Sequence, residues 1–130
     1  MKVALAVWNG RISPVFDVSR ELLVIDIRGG REREFERAYV HFSNDHPMHK
    51  VRRLVEMDVE VLLCGAVSRQ LATALEANAI RLFGFISSET ESVIAAYLEG
   101  RLPSAEMSMP GYRPVRRRRR EKFRCKKGRI

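Results

Sequence analysis

The chain has 130 residues, 45% of them hydrophobic and 31% charged, which is enough for one domain with a real core and excludes a disordered polymer. No apolar run is long enough to cross a bilayer, no small-residue cleavage site follows the short apolar start, and two cysteines are too few for a disulfide scaffold, so a cytoplasmic protein is expected. The formal charge of +8 is uneven: residues 113–130 carry eleven Lys or Arg against Glu121 alone, net +10, and residues 1–112 carry thirteen basic and fifteen acidic residues, net −2.

Val3 to Trp8 is continuously apolar, which suits a strand buried on both faces. Asn9-Gly10 is a turn signal, and the loop runs on through Ser13-Pro14 towards Ser19. A second strand is predicted from Glu21 to Ile27. Gly29-Gly30 then reads as a tight hairpin into a third strand, Arg31 to Val40, whose alternating charges mark an edge. Asn44-Asp45-His46-Pro47 reads as a capped helix start with Pro in the first turn, and Met48, Val51, Leu54 and Val55 form its apolar stripe, ending near Met57. Val59 to Cys64 is a fourth strand, and Gly65 to Ser68 turns into a second helix carrying Leu71, Ala74 and Leu75. A fifth strand is predicted from Ile80 to Ile86. Ser88 and Glu91 have the spacing of a capping box for a third helix, which buries Val93, Ile94, Tyr97 and Leu98 and stops at Gly100.

The order β-β-β-α-β-α-β-α predicts an α/β domain over residues 1–112 with a mixed five-stranded sheet, an antiparallel part joined to parallel strands by helical crossovers. Residues 113–130 form a separate basic tail. Like charges repel along it, and only Val115, Phe123, Cys125 and Ile130 offer apolar area. It reads either as an electrostatic attachment to nucleic acid or an acidic protein, or as a solubilising end.

Four stretches resemble the dinitrogenase iron-molybdenum cofactor biosynthesis family. They are Met1-Lys2-Val3-Ala4-Leu5-Ala6-Val7, Gly10-Arg11-Ile12-Ser13-Pro14-Val15-Phe16-Asp17, Val61-Leu62-Leu63-Cys64-Gly65-Ala66, and Met109-Pro110-Gly111 followed by arginines. The resemblance implies a three-layer α/β/α domain of ribonuclease H-like topology. It also implies a small protein that binds or carries iron-molybdenum or related metal-sulfur clusters, with cluster-assembly or acceptor proteins as partners.

In an open α/β sheet, ligands sit at the carboxyl ends of the parallel strands. Those ends are Trp8-Asn9-Gly10-Arg11, Cys64-Gly65-Ala66-Val67-Ser68-Arg69 and Ser87-Ser88. Two of them lead into helix N-termini, where free amides favour an anion, and Arg11 and Arg69 add charge. Phosphate or a metal-sulfide polyanion fits such a rim, so Trp8, Asn9, Gly10, Arg11, Ser13, Phe16, Cys64, Gly65, Ser68 and Arg69 are the candidate binding residues. Cys64 is either a small core residue or a soft thiolate ligand for the metal. Trp8 and Phe16 are either core or the walls of a pocket, and the serines either bind an anion or only cap helices. His46 and His49 share a helical face, yet no further zinc ligands accompany them, so they read as solvated histidines. No Gly-x-Gly-x-x-Gly, Walker loop or nucleophile elbow is present. The first strand contains no acid with which to hold two metal ions, so a binding protein is expected and an enzyme is not.

Overall fold

The computed structural model describes residues 1–28, 33–42 and 46–110. The Gly29-Gly30 hairpin, the Asn44-Asp45 part of the helix start and the basic tail with Cys125 lie outside these residues. The elements are β1 (Lys2–Trp8), β2 (Arg11–Ile12), β3 (Glu21–Arg28), β4 (Arg33–His41), α1 (Pro47–Glu56), β5 (Val59–Leu63), α2 (Arg69–Ala77), β6 (Arg81–Phe83) and α3 (Thr90–Leu98). Single 3-10 turns occur at Phe16–Val18 and Ala105–Met107. Among the described residues no helix is long and apolar enough to cross a membrane.

The sheet runs β4-β3-β1-β5-β6, with β2 pairing to β1 off this path. The β1–β5 and β5–β6 pairs are parallel, whereas β3 is antiparallel to both β1 and β4. This is the mixed α/β sheet expected from the order of elements, in the ribonuclease H-like topology that the family resemblance implies. The strand at the β4 end carries the charged alternation, as an edge strand should.

The central strands β1, β3 and β5 bury residues on both faces because their side chains alternate. Ala4, Ala6, Leu22 and Leu62 point to one side, where Val51 and Leu54 of α1 and Leu71 and Leu75 of α2 close over them. Val3, Leu5, Leu23, Ile25, Val61 and Leu63 point to the other, against Val93 and Ile94 of α3. Two helices on one face and one on the other make three layers. Each fully buried Leu contributes about 2 kcal/mol of hydrophobic transfer, so this two-sided burial is what holds the central strands.

Three local expectations differ from the structure. The stripe of α1 is rotated: Met48 and Val55 are 43% and 41% exposed, while Lys50 is only 4% exposed. The reason is a cage. Lys50 Nζ donates to the carbonyls of Phe16 (2.9 Å) and Asp17 (2.7 Å) and sits 5.5 Å from the ring centroids of both Phe16 and Phe42, so its charge is buried with partners. The fifth strand is shorter than the apolar run, because the chain turns at Gly84 and at Phe85, whose φ is +58°; Ile86 then bridges to Ser108. Finally, Ser88 and Glu91 form no capping box. α3 begins at Thr90 after Glu89, with no side-chain cap, because residues 88–90 are drawn into strand-like pairing with the 10–12 segment: Ile12 N–H donates to Ser88 O and Thr90 N–H to Gly10 O. Glu91 instead accepts two hydrogen bonds from Arg37, at 2.8 and 3.0 Å.

Candidate functional site

The carboxyl edge of the sheet is built from four short segments. The first is the tip of the β1–β2 hairpin. Asn9 and Gly10 take φ of +51° and +76°, the two left-handed positions of a two-residue type I′ turn, and Trp8 and Arg11 face each other across it. Trp8 is exposed, as is Arg11. Arg11 also bridges, in antiparallel fashion, to Glu89 before α3.

The second segment, residues 13–18, leaves the hairpin and crosses to the loop after β5. Ser13 N–H donates to Ala6 O, Ala66 N–H to Pro14 O, and Phe16 N–H to Ala66 O, each at 2.8 Å. Val15 and Ala66 form a parallel bridge. Gly65 is what permits this approach, since a Cβ there would collide with the carbonyl oxygens of Ser13 and Pro14. The open cleft expected between the loops after β1 and β5 is therefore filled by the chain itself.

That filling decides the position of several candidate residues. Ser13 is buried, and Phe16 and Cys64 are wholly buried in the cluster under α1 and α2. Burial, followed by the charge of Asp17, pushes the Cys64 thiol up to about 12, so at neutral pH it is a protonated core side chain. Its geometry is that of the core residue rather than of a thiolate presented to a cluster. Phe16 likewise packs in the core and walls no open pocket.

The third segment is the start of α2. Ser68 caps it by accepting from Leu71 N–H (3.3 Å), and the Asp17 carboxylate accepts from Ser68 N–H (3.0 Å). The first amides of a helix have no partner within the helix, and among the described residues those of Arg69 and Gln70 are left for an outside acceptor. Both residues are exposed. The last segment, 107–109, lies along 85–87: Ser87 N–H donates to Met107 O and Met109 N–H to Phe85 O.

The structure thus places Trp8, Asn9, Gly10, Arg11, Gly65, Ser68 and Arg69 on one edge, but on different loops. Arg11 sits beside the start of α3, and Arg69 lies beyond the 13–18 segment at the start of α2. The start of α3 is flanked by Glu89 and Glu91 and that of α2 by the Asp17 carboxylate on Ser68 N–H, so what α2 offers an anion is the Arg69 and Gln70 amides and the Arg69 charge, set against that carboxylate. Elsewhere, His46 Nδ1 caps α1 by accepting from Met48 N–H at 3.1 Å, and its ring lies 6.4 Å from that of His49. Among the described residues no three His, Cys, Asp or Glu side chains gather as a metal site. Lys50 was not anticipated as part of the loop that shapes this edge. Nothing local marks it, because its partners are carbonyls more than thirty residues away.

A family model described as "Dinitrogenase iron-molybdenum cofactor" matches residues 1–100. No curated protein matches the chain. Among solved structures, PH0822 has a TM-score of 0.74 at 18% identity, covering 81% of this chain and 95% of that one. The mj0327 protein from Methanocaldococcus jannaschii has a TM-score of 0.66 at 17% identity, covering 82% and 96%. The apo form of the orange protein from Desulfovibrio gigas has a TM-score of 0.63 at 19% identity, covering 82% and 94%. At these identities the likeness is one of fold.

Proposed function

The chain belongs to the dinitrogenase iron-molybdenum cofactor family, and from that premise we propose that it is a non-catalytic binding and carrier protein. Its cargo is an anionic iron-molybdenum or related metal-sulfur cluster, taken up at the carboxyl edge of the sheet. The observation that supports this placement is the exposed start of α2. There Arg69 and Gln70, both exposed, open the helix with amides that have no partner within it, and Arg69 adds a positive charge to the helix end. Arg11 on the neighbouring loop adds a second cation to the same edge.

The donor set favours one mode of binding. With Cys64 buried and protonated, the described residues offer the cluster hydrogen-bond donors and positive charge rather than thiolates. A polyanion held this way keeps its own coordination sphere. It can be released without ligand exchange, which suits delivery to an assembly or acceptor protein. The rigid clasp between the 13–18 segment and the loop after β5 holds these donors in place, so little ordering cost falls on binding.

The reading is tested by purifying the full chain without oxygen and measuring molybdenum, iron, sulfide and visible absorbance, with tetrathiomolybdate supplied to any protein isolated colourless. A coloured protein, or uptake of tetrathiomolybdate by the colourless one, supports a cluster carrier. Protein that is colourless, free of metal and unable to take up tetrathiomolybdate refutes it.

A further inference from the structure

The start of α2 already carries an anion that belongs to the chain. The Asp17 carboxylate accepts from Ser68 N–H at 3.0 Å, from a position 51 residues away in sequence, and Ser68 Oγ in turn accepts from Leu71 N–H at 3.3 Å. The placement of Asp17 is fixed from behind. It lies in the 3-10 turn Phe16–Val18, where the Phe16 carbonyl accepts from Ser19 N–H (3.1 Å), Ser19 Oγ (2.9 Å) and Lys50 Nζ (2.9 Å). Lys50 Nζ also donates to the Asp17 carbonyl, and Phe16 N–H donates to Ala66 O, which ties the turn to the loop leading into α2. Phe16, Ser19 and Lys50 are all buried, so breaking these bonds leaves polar groups without water to replace them.

Charge of the opposite sign follows at once in the sequence. Arg69 and Gln70 are exposed, and their amides have no partner within the helix. Among the described residues neither Asp17 nor Arg69 takes part in an ion pair, with each other or with a third group. Asp17 is half-buried, so its charge is felt in the solvent at the helix start. Ser68 N–H immediately precedes the two open amides. An anion on those amides therefore lies within a few ångström of the carboxylate, where even water-screened repulsion is worth about fivefold in affinity per unit of charge.

We propose that Asp17 is a built-in competitor of the anion taken up at this edge. Its carboxylate occupies the amide ahead of α2 and opposes, by its charge, any anion that reaches the amides of Arg69 and Gln70. The cargo is then held loosely enough to be handed on. This inference rests on the cluster reading above and names the residue that regulates that site. A residue that served only to cap α2 would do so through its acceptor oxygen, and asparagine supplies the same oxygen without the charge. Charge and cap are thereby separable. Removing the charge also leaves the Lys50 ammonium, bonded to the same turn, without an opposing carboxylate, which acts in the same direction.

The test compares full-length wild type with Asp17→Asn and, as a second way of removing the charge, Asp17→Ser, each checked for folding by circular dichroism. Two probes are used: tetrathiomolybdate, titrated without oxygen, and inorganic sulfate, followed through the backbone amide resonances of residues 68–71. Asp17→Asn is expected to bind tetrathiomolybdate about fivefold or more tightly than wild type at low salt, with the gain shrinking at high salt. The Arg69 and Gln70 amides should respond to sulfate at lower concentration in the variants. Wild type that binds tetrathiomolybdate as tightly as the folded variants, or more tightly, would overturn the role of Asp17 and leave the carrier reading standing. Tetrathiomolybdate refused by every form, with the amides still more responsive to sulfate in the variants, would uphold Asp17 and refute the carrier reading. Amides that respond to neither anion in any form would overturn both.

Discussion

Gly65 and Gly10 both lie on the carboxyl edge, but a methyl group meets different surroundings at each. At Gly65 a Cβ would fall 2.5 Å from the Pro14 carbonyl oxygen and closer still to that of Ser13, and backbone cannot step aside as a flexible side chain can. Gly65→Ala should therefore destabilise the domain by about 3 kcal/mol or more and spread the 13–18 segment from the loop after β5. At Gly10 nothing lies within 4 Å, and only the left-handed φ of +76° resists a side chain, so Gly10→Ala should cost about 1–2 kcal/mol. Thermal or urea melts of the two variants give the ranking. Cys64 supplies a pH dependence. Its folded thiol titrates at about 12 against 9.0 for the ordinary group, so between these values the unfolded chain has lost a proton that the folded chain keeps. Unfolding is then favoured as pH rises, by about 1.4 kcal/mol per pH unit above pH 9. Lys50 acts in the opposite sense: burial lowers its folded value below 10.5, so its contribution to stability grows with pH up to 10.5. Comparing Cys64→Ala with wild type isolates the thiol, and the variant's melting temperature should fall less steeply between pH 8 and 10.5. Parallel slopes would show that the thiol does not experience this burial.

Among the elements, those fixed by local chemistry were legible in the sequence, and those fixed by distant partners were not. Asn9-Gly10 announced a turn because few residues accept two left-handed positions. The continuous apolar runs announced β1 and β5 because a strand covered on both faces needs no polar side. Ser68 at the head of α2 also reads correctly, since its hydroxyl reaches Leu71 N–H within one turn. The Ser88–Glu91 pair has the same local grammar and fails, because residues 88–90 are claimed by the hairpin and Glu91 by Arg37, 54 residues away. Loop positions on the candidate edge could be read in the same way, but the filling of the cleft depends on Gly65 meeting Ser13 and Pro14, a contact no local pattern encodes. The contrast between the two serines is measurable. Ser68→Ala should cost about 1 kcal/mol through loss of its cap, whereas Ser88→Ala should stay within about 0.5 kcal/mol. Equal costs would mean that the start of α3 is capped after all.

At the scale of the whole molecule, charge and core are separated along the chain. Among the described residues the three-layer core is built from residues 3–107, and residues 113–130 carry net +10 with little apolar area. Deleting residues 113–130 should leave the melting temperature nearly unchanged while abolishing retention on heparin, because the remainder is net −2; a large fall in melting temperature would show that this segment packs on the domain. The ribonuclease H-like topology brings no nuclease chemistry by itself, and β1 reads Lys-Val-Ala-Leu-Ala-Val-Trp with no acid to present. What we propose the fold presents is an anion-binding edge. The most direct test of that claim is anaerobic titration with tetrathiomolybdate of the full-length wild type, the Arg11→Glu/Arg69→Glu double variant and Cys64→Ala, at low and high salt. Wild type should bind, the double variant should bind more weakly with the largest loss at low salt, and Cys64→Ala, where folded, should bind as wild type does. Wild-type affinity in the double variant, or loss of binding in folded Cys64→Ala, would contradict a cluster held by charge and amides at this edge.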